Sequence, residues 1–371
     1  MMTIRSIFVS IALTAITGIH AIAQAPVTLP QPVLGTYGHP KAFWDRGGQL
    51  GEYGVNAAFI HAAAINAETV ERVRSEGCLV FAEFATLNGK YGDYVKNHPE
   101  AHPIDDTGNP APPATWFMGV CPTNQAFREY RMAALRELLT NFDVDGVWMD
   151  YLHWHAQFED PYPVFVKTCF NDSCVSAFDA WAELEVPGDT IPERAEWIFT
   201  NAAKQWEDWR VSVIVDWARE IHDTVTELRP NALVGNFQAA WKDDDLWGAR
   251  RRCLGLDYMA MEPYVDVYSP MIYHGRAGKS PDYVREYVEY FSERHPVSQE
   301  LGVFPKLIPI VQAQDRPRIE PAEFETVLRH GLEAKSAGVM MFAIGSVAAD
   351  DDKMDVMKRV YTEFSDRTLP E

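Results

Sequence analysis

Eight short apolar runs, separated by helical patterns, constrain this chain more than any other feature. The runs are 33–38, 55–61, 78–84, 146–151, 232–238, 265–273, 306–313 and 338–346. Most are apolar on both faces, as expected when a strand is covered on both sides. Helical patterns fill the gaps at 67–76, 125–142, 206–228, 283–295, 321–337 and 355–364. This alternation predicts an α/β fold with a parallel sheet inside and helices outside. Eight βα units predict a single closed (β/α)8 TIM barrel. A doubly wound open sheet is the structural alternative, but no G-x-G-x-x-G follows the first run.

Two connections are long: 88–124 after run three, and 153–203 after run four. Both follow strands, so both belong to the C-terminal face, where long loops form lids and binding walls.

The first 25 residues read as a signal peptide. Arg5 is the positive start, residues 7–22 are apolar, and Ala23-Gln24-Ala25 fits the small-residue cleavage rule. The expected mature domain is 26–371, exported to the periplasm or beyond, with no membrane anchor. The formal charge of −20 disfavours nucleic acid and anionic membranes as partners. A neutral carbohydrate fits better. Cys169 and Cys174 are the expected disulfide, and the odd count of five cysteines leaves at least one free thiol.

The stretch DGVWMDYLHWH (145–155) ends a buried strand on a carboxylate, Asp150, followed by aromatic and imidazole side chains. A charge there is costly unless it is partnered or used. Other residues expected at the C-terminal ends are Tyr37, His39, His61, Glu83, Gln238, Tyr273, His274, Gln312 and Asp315. By contrast, Asp145, Asp257 and Asp266 precede strands and are assigned to the bottom face.

The upper set has the chemistry of a carbohydrate site. Glycosidic cleavage uses two carboxyl groups, one to protonate the leaving oxygen and one to attack or to activate water. Asp150 and Glu83 are the expected pair, with Asp315 and Glu159 in reserve. A separation of about 5–5.5 Å would imply retention, and about 6.5–9.5 Å inversion. Trp116, Trp154, Trp241, Tyr37 and Tyr273 are candidate sugar platforms. Gln238, Gln312, His39, His153, His155 and His274 are candidate hydroxyl binders. No cofactor or catalytic metal is expected, although His153 and His155 offer an alternative in which paired imidazoles hold an ion. No G-x-S-x-G is present for a serine hydrolase.

Several segments resemble one family. DGVWMDY is similar to the "DG(I/V)xLDY" fourth strand of glycoside-hydrolase-like barrels. These include bacterial family-10-like proteins and barrels that cut partly deacetylated amino-sugar exopolysaccharides. The helix DWRVSVIVDWAREI, the run RPNALVGNF and the strand VDVYSPMIYH agree with it. TCFNDSCVSAF resembles a "CFCxxC…F" segment, with Asn171 in place of the middle cysteine. The likeness runs from about Pro32 to Phe364. It implies a secreted glycoside hydrolase with Asp150 as a catalytic residue. The chain departs where related enzymes carry a Glu on strand five or six, since these runs end NFQ and MIYH. That departure motivates a second reading, a non-catalytic carbohydrate-binding barrel.

Overall fold

The computed structural model describes residues 27–90, 93–114, 117–158, 161–295 and 306–365. The expected leader and its cleavage point lie outside them. Eight staves form a closed parallel barrel: β1 (Val33–Tyr37), β2 (Ala57–His61), β3 (Leu79–Ala85), β4 (Gly146–Asp150), β5 (Leu233–Ala239), β6 (Val267–Ile272), β7 (Lys306–Leu307, resumed at Ile310–Gln312) and β8 (Gly338–Phe342). Pairing of Tyr37 with Phe342 at the β1–β8 seam closes the ring. Each of the eight expected runs holds a strand. The seventh is broken because Pro309 has no N–H to give to the ladder.

The main helices are α1 (Ala67–Ser75), α2 (Gln125–Asn141), α3 (Asp172–Ala182), α4 (Ile191–Asn201), α5 (Ala203–Leu228), α6 (Tyr283–Arg294), α7 (Pro321–Glu333) and α8 (Asp351–Ser365). Side-chain caps start several of them. Asn66, Asn124 and Asn171 accept from Thr69, Phe127 and Cys174 backbone N–H groups at 2.9, 2.8 and 2.8 Å. Each satisfies a donor that the first turn leaves free.

Alternate residues of each strand fill the barrel. Phe59, Phe81 and Trp148 form its aromatic layer, with centroids 4.6–4.9 Å apart. The Trp148 indole donates across the barrel to Ser269 Oγ at 3.0 Å. Gly235 makes room for it, since a Cβ there would meet the indole at 2.1 Å. The opposite parity of each strand faces the helices and forms the larger core.

The three bottom-face acids hold strand starts and turns together. Asp145 accepts from Val80 N at 2.7 Å, and Asp266 from Val234 N at 2.8 Å. Asp257 caps a short turn through Ala260 N and pairs with Arg251.

Candidate active site

Strand register stacks the two acids. His61 on β2 lies level with Glu83 on β3, and Ala85 on β3 lies level with Asp150 on β4. Glu83 is therefore one pleat below Asp150 on the adjacent strand, and both belong to the inward parity of Phe81 and Trp148.

Glu83 is fully buried, whereas Asp150 keeps part of its surface open. Tyr37 donates to Glu83 Oε2 at 3.3 Å, and His61 Nε2 is 3.7 Å from the same oxygen. Glu83 and Asp150 act on each other through their charges, and Glu83 Oε1 has no hydrogen-bond partner. Two neighbouring buried carboxylates disfavour each other's ionised form, so the pair retains a proton more readily than either acid alone. Burial, followed by the charge of Asp150, holds Glu83 well above the usual carboxylate range. Burial also raises Asp150 to about 6, opposed by the hydrogen bond from Tyr151 N. Burial thus favours the protonated form at Glu83, the deeper of the two. The deeper site is drier, and the Asp150 carboxylate has the backbone N–H of Tyr151 at 2.8 Å. That N–H is aimed by a left-handed turn, with φ of 51° at Tyr151. A non-glycine residue there costs about 1–3 kcal/mol and is held by its surroundings.

Burial and the charges of Glu83 and Asp150 keep the Tyr37 phenol protonated. Its ring packs on Phe342 and Phe237, with centroids at 4.9 and 5.8 Å, and Tyr273 packs on the other side of Phe342 at 4.9 Å. Tyr273 also lines a cleft over the ends of β5 and β6, together with Trp241, Phe158, Met271, Asp245 and Tyr283. Neither acid lines that cleft, but Tyr37 at the pair and Tyr273 on the cleft wall both pack against Phe342.

No family model matches the chain, and no curated protein does. Solved structures do. The glycoside hydrolase domain of PgaB (BpsB) from Bordetella bronchiseptica matches with a TM-score of 0.65 at 12% identity, over 88% of this chain and 99% of that one. The fold is that of a glycoside-hydrolase-like barrel. A β-galactosidase from the haloarchaeon Halorubrum lacusprofundi follows with a TM-score of 0.62 at 13% identity, over 90% of this chain. An alpha-L-fucosidase from Paenibacillus thiaminolyticus gives 0.56 at 13% identity, again over 90%. The chain spans 58% of that galactosidase and 49% of that fucosidase.

Within this glycoside-hydrolase-like barrel the expected residues separate clearly. Asp150, Glu83, Tyr37 and Tyr273 come together, and Trp241 stands on the adjoining cleft. Trp116 and Glu159 lie outside the described residues.

Other expectations are corrected. Trp154 is fully buried, donates to Arg210 O at 3.0 Å and packs on Trp209, so no sugar can stack on it. His155 spends both nitrogens on the backbone. Nδ1 accepts from Gly119 N at 3.1 Å, and Nε2 bonds Pro112 O at 2.7 Å. It ties the β3 loop to the β4 loop and has no lone pair for a metal shared with His153. Buried His153 directs Nδ1 to Trp154 O at 2.7 Å, and burial lowers it to about 4, so it is neutral. Gln238 projects from the outer parity of β5 and bonds Asn236. His274 is fully buried against Glu323 Oε1 at 2.7 Å. Gln312 holds Arg276 N and the Gln314 carbonyl, at 3.2 and 3.1 Å. Asp315 is paired with Lys353 at 2.5 Å. His39 is engaged by Thr69 and by Lys41 N, both at 3.1 Å, on the β1 loop. Cys169 and Cys174 are free thiols, not a disulfide.

The site also holds residues left out of the expected set. His61 was visible as a strand end, and it borders Glu83. Phe342, the last residue of β8, and Phe158 and Asp245, in the connections, carried no further sequence signal.

Proposed function

We propose that the protein is an exported glycoside hydrolase acting on a polysaccharide or oligosaccharide, with Asp150 and Glu83 working as one acid–base unit. The observation that carries this reading is the stacked acid pair near an aromatic cleft at the C-terminal face. The glycoside hydrolases among the fold's neighbours support the reaction class. Asp150, the more open of the two, relays the pair's single proton from Glu83 to the leaving oxygen. Water attacking the sugar returns a proton to Asp150, as reversibility requires. Trp241 and Tyr273 offer flat surfaces to sugar C–H faces. Among the described residues no helix is long and apolar enough to cross a membrane.

The lack of a Glu where β5 and β6 end, in NFQ and MIYH, favours a second reading, a barrel that binds carbohydrate without cutting it. Incubation of the purified protein with a panel of amino-sugar and neutral glycans decides between them. New reducing ends support the hydrolase. Glycan binding without new ends, at any pH between 4 and 9, replaces it with the binding barrel.

A further inference from the structure

Cys121, Cys169 and Cys174 come from two different loops and meet in one fully buried cluster, with all three sulfurs within 4.8 Å of one another. The Cys121 and Cys174 sulfurs are 3.3 Å apart. A disulfide bond would be about 2.05 Å, and bridging two of the three would strand the third. Four sulfurs placed tetrahedrally around zinc, each at about 2.3 Å, stand about 3.8 Å from one another. The observed triangle has that scale.

Hydrogen-bond donors reach the sulfurs. Asn171 Nδ2 donates to Cys121 Sγ at 3.2 Å, and Ile104 N donates to Cys169 Sγ at 3.3 Å. The Thr123 hydroxyl lies 3.2 Å from Cys121 Sγ and 3.0 Å from Cys174 Sγ. Arg210 is buried nearby, and its charge acts on Cys253, Cys174, Glu207 and Cys169. Its hydrogen bonds go to carbonyls, Arg252 O at 2.6 Å and Cys253 O at 2.7 Å, while Nε has no partner. A buried guanidinium with no carboxylate hydrogen-bonded to it favours negative charge close by. Three thiolates around a divalent ion leave a net charge of about −1, which Arg210 offsets.

We propose that Cys121, Cys169 and Cys174 bind a zinc ion as thiolates, with an oxygen from Thr123 or water as the fourth ligand. Asn171 supports the cluster from outside, as a donor to Cys121 and as the cap of α3. Loading releases the three thiol protons to solvent. The ion would staple the β3 loop to the β4 loop, away from Asp150, so it is structural.

The test is elemental analysis of the full chain purified without chelator, together with thiol titration after denaturation. About one zinc per chain is expected. Five titratable thiols should appear once the metal is removed, matching the five cysteines. Cys174→Ser should reduce bound zinc at least tenfold. Chelator-treated wild type should melt several degrees lower and recover on adding zinc, which keeps the test open if the variant does not fold. Three thiols and no zinc would show a disulfide and overturn the proposal. So would five thiols in a chain that takes up no zinc, or a folded Cys174→Ser that keeps its full zinc content.

Discussion

Tyr37 reaches past β2 to place its hydroxyl 3.3 Å from Glu83 Oε2. This hydrogen bond stabilises the ionised form of Glu83, against burial and Asp150, which disfavour it. Tyr37→Phe should therefore raise the higher of the pair's two apparent pKa values and move the alkaline limb of activity upward. A pH–rate profile of the variant against wild type reads the shift directly. An unchanged alkaline limb would mean that Glu83 does not set it.

The pair holds one proton between two macroscopic steps, the lower near 6 and the upper set by Glu83. We expect a bell-shaped profile of kcat/KM on any cleaved glycan, with an acid limb near 6. A profile flat from pH 4 to 8 would contradict it.

Asp150→Asn should lower kcat by about 10²–10⁴-fold, the range for a lost general acid. Adding Glu83→Gln should cost little more, because residues acting as a unit are not additive. Steady-state kinetics of both single variants and the double variant test this. Multiplying losses would make the two acids independent.

The same acids should destabilise the fold at neutral pH. Unfolded Asp and Glu ionise near 3.9 and 4.3, whereas the folded pair retains protons at higher pH. The folded state then binds more protons than the unfolded one, so stability falls as pH rises from about 4 through 6 and beyond. Asp150→Asn removes its share, roughly 2–3 kcal/mol by the size of that shift. The variant should be more stable than wild type at pH 8 and nearly equal at pH 4, as measured by urea melts at both values.

His155→Ala should lower stability by about 2–4 kcal/mol, since it leaves Gly119 N and Pro112 O without their partner and opens a cavity. Chemical denaturation checks it. The effect belongs to loop anchoring, so a folded remainder should keep its KM within a few-fold.

The barrel was legible because strands buried on both sides announce themselves as apolar runs. Glu83 and Asp150 stood out as candidates because a carboxylate ending such a run has few structural excuses. Parity was harder to read. Phe237 and Gln238 sit side by side on β5, both of whose faces are covered, and the run does not say which faces inward. The residues after Asp150 were misplaced for another reason. The left-handed turn at Tyr151 redirects the chain, so His153, Trp154 and His155 lose the strand's alternation and become internal struts. Cys121 was overlooked as a partner because 48 and 53 residues separate it from Cys169 and Cys174.

The rings of Phe59, Phe81 and Trp148 also determine where hydrogen ions can travel. They pave the barrel beneath Glu83 with hydrocarbon, apart from one indole N–H already committed to Ser269. No chain of waters can form through such a plug, so hydrogen ions reach Glu83 from the upper end of the barrel, past Asp150 or the partly exposed His61. Glu83 is a reservoir filled from one end, and whatever covers that end controls when it refills.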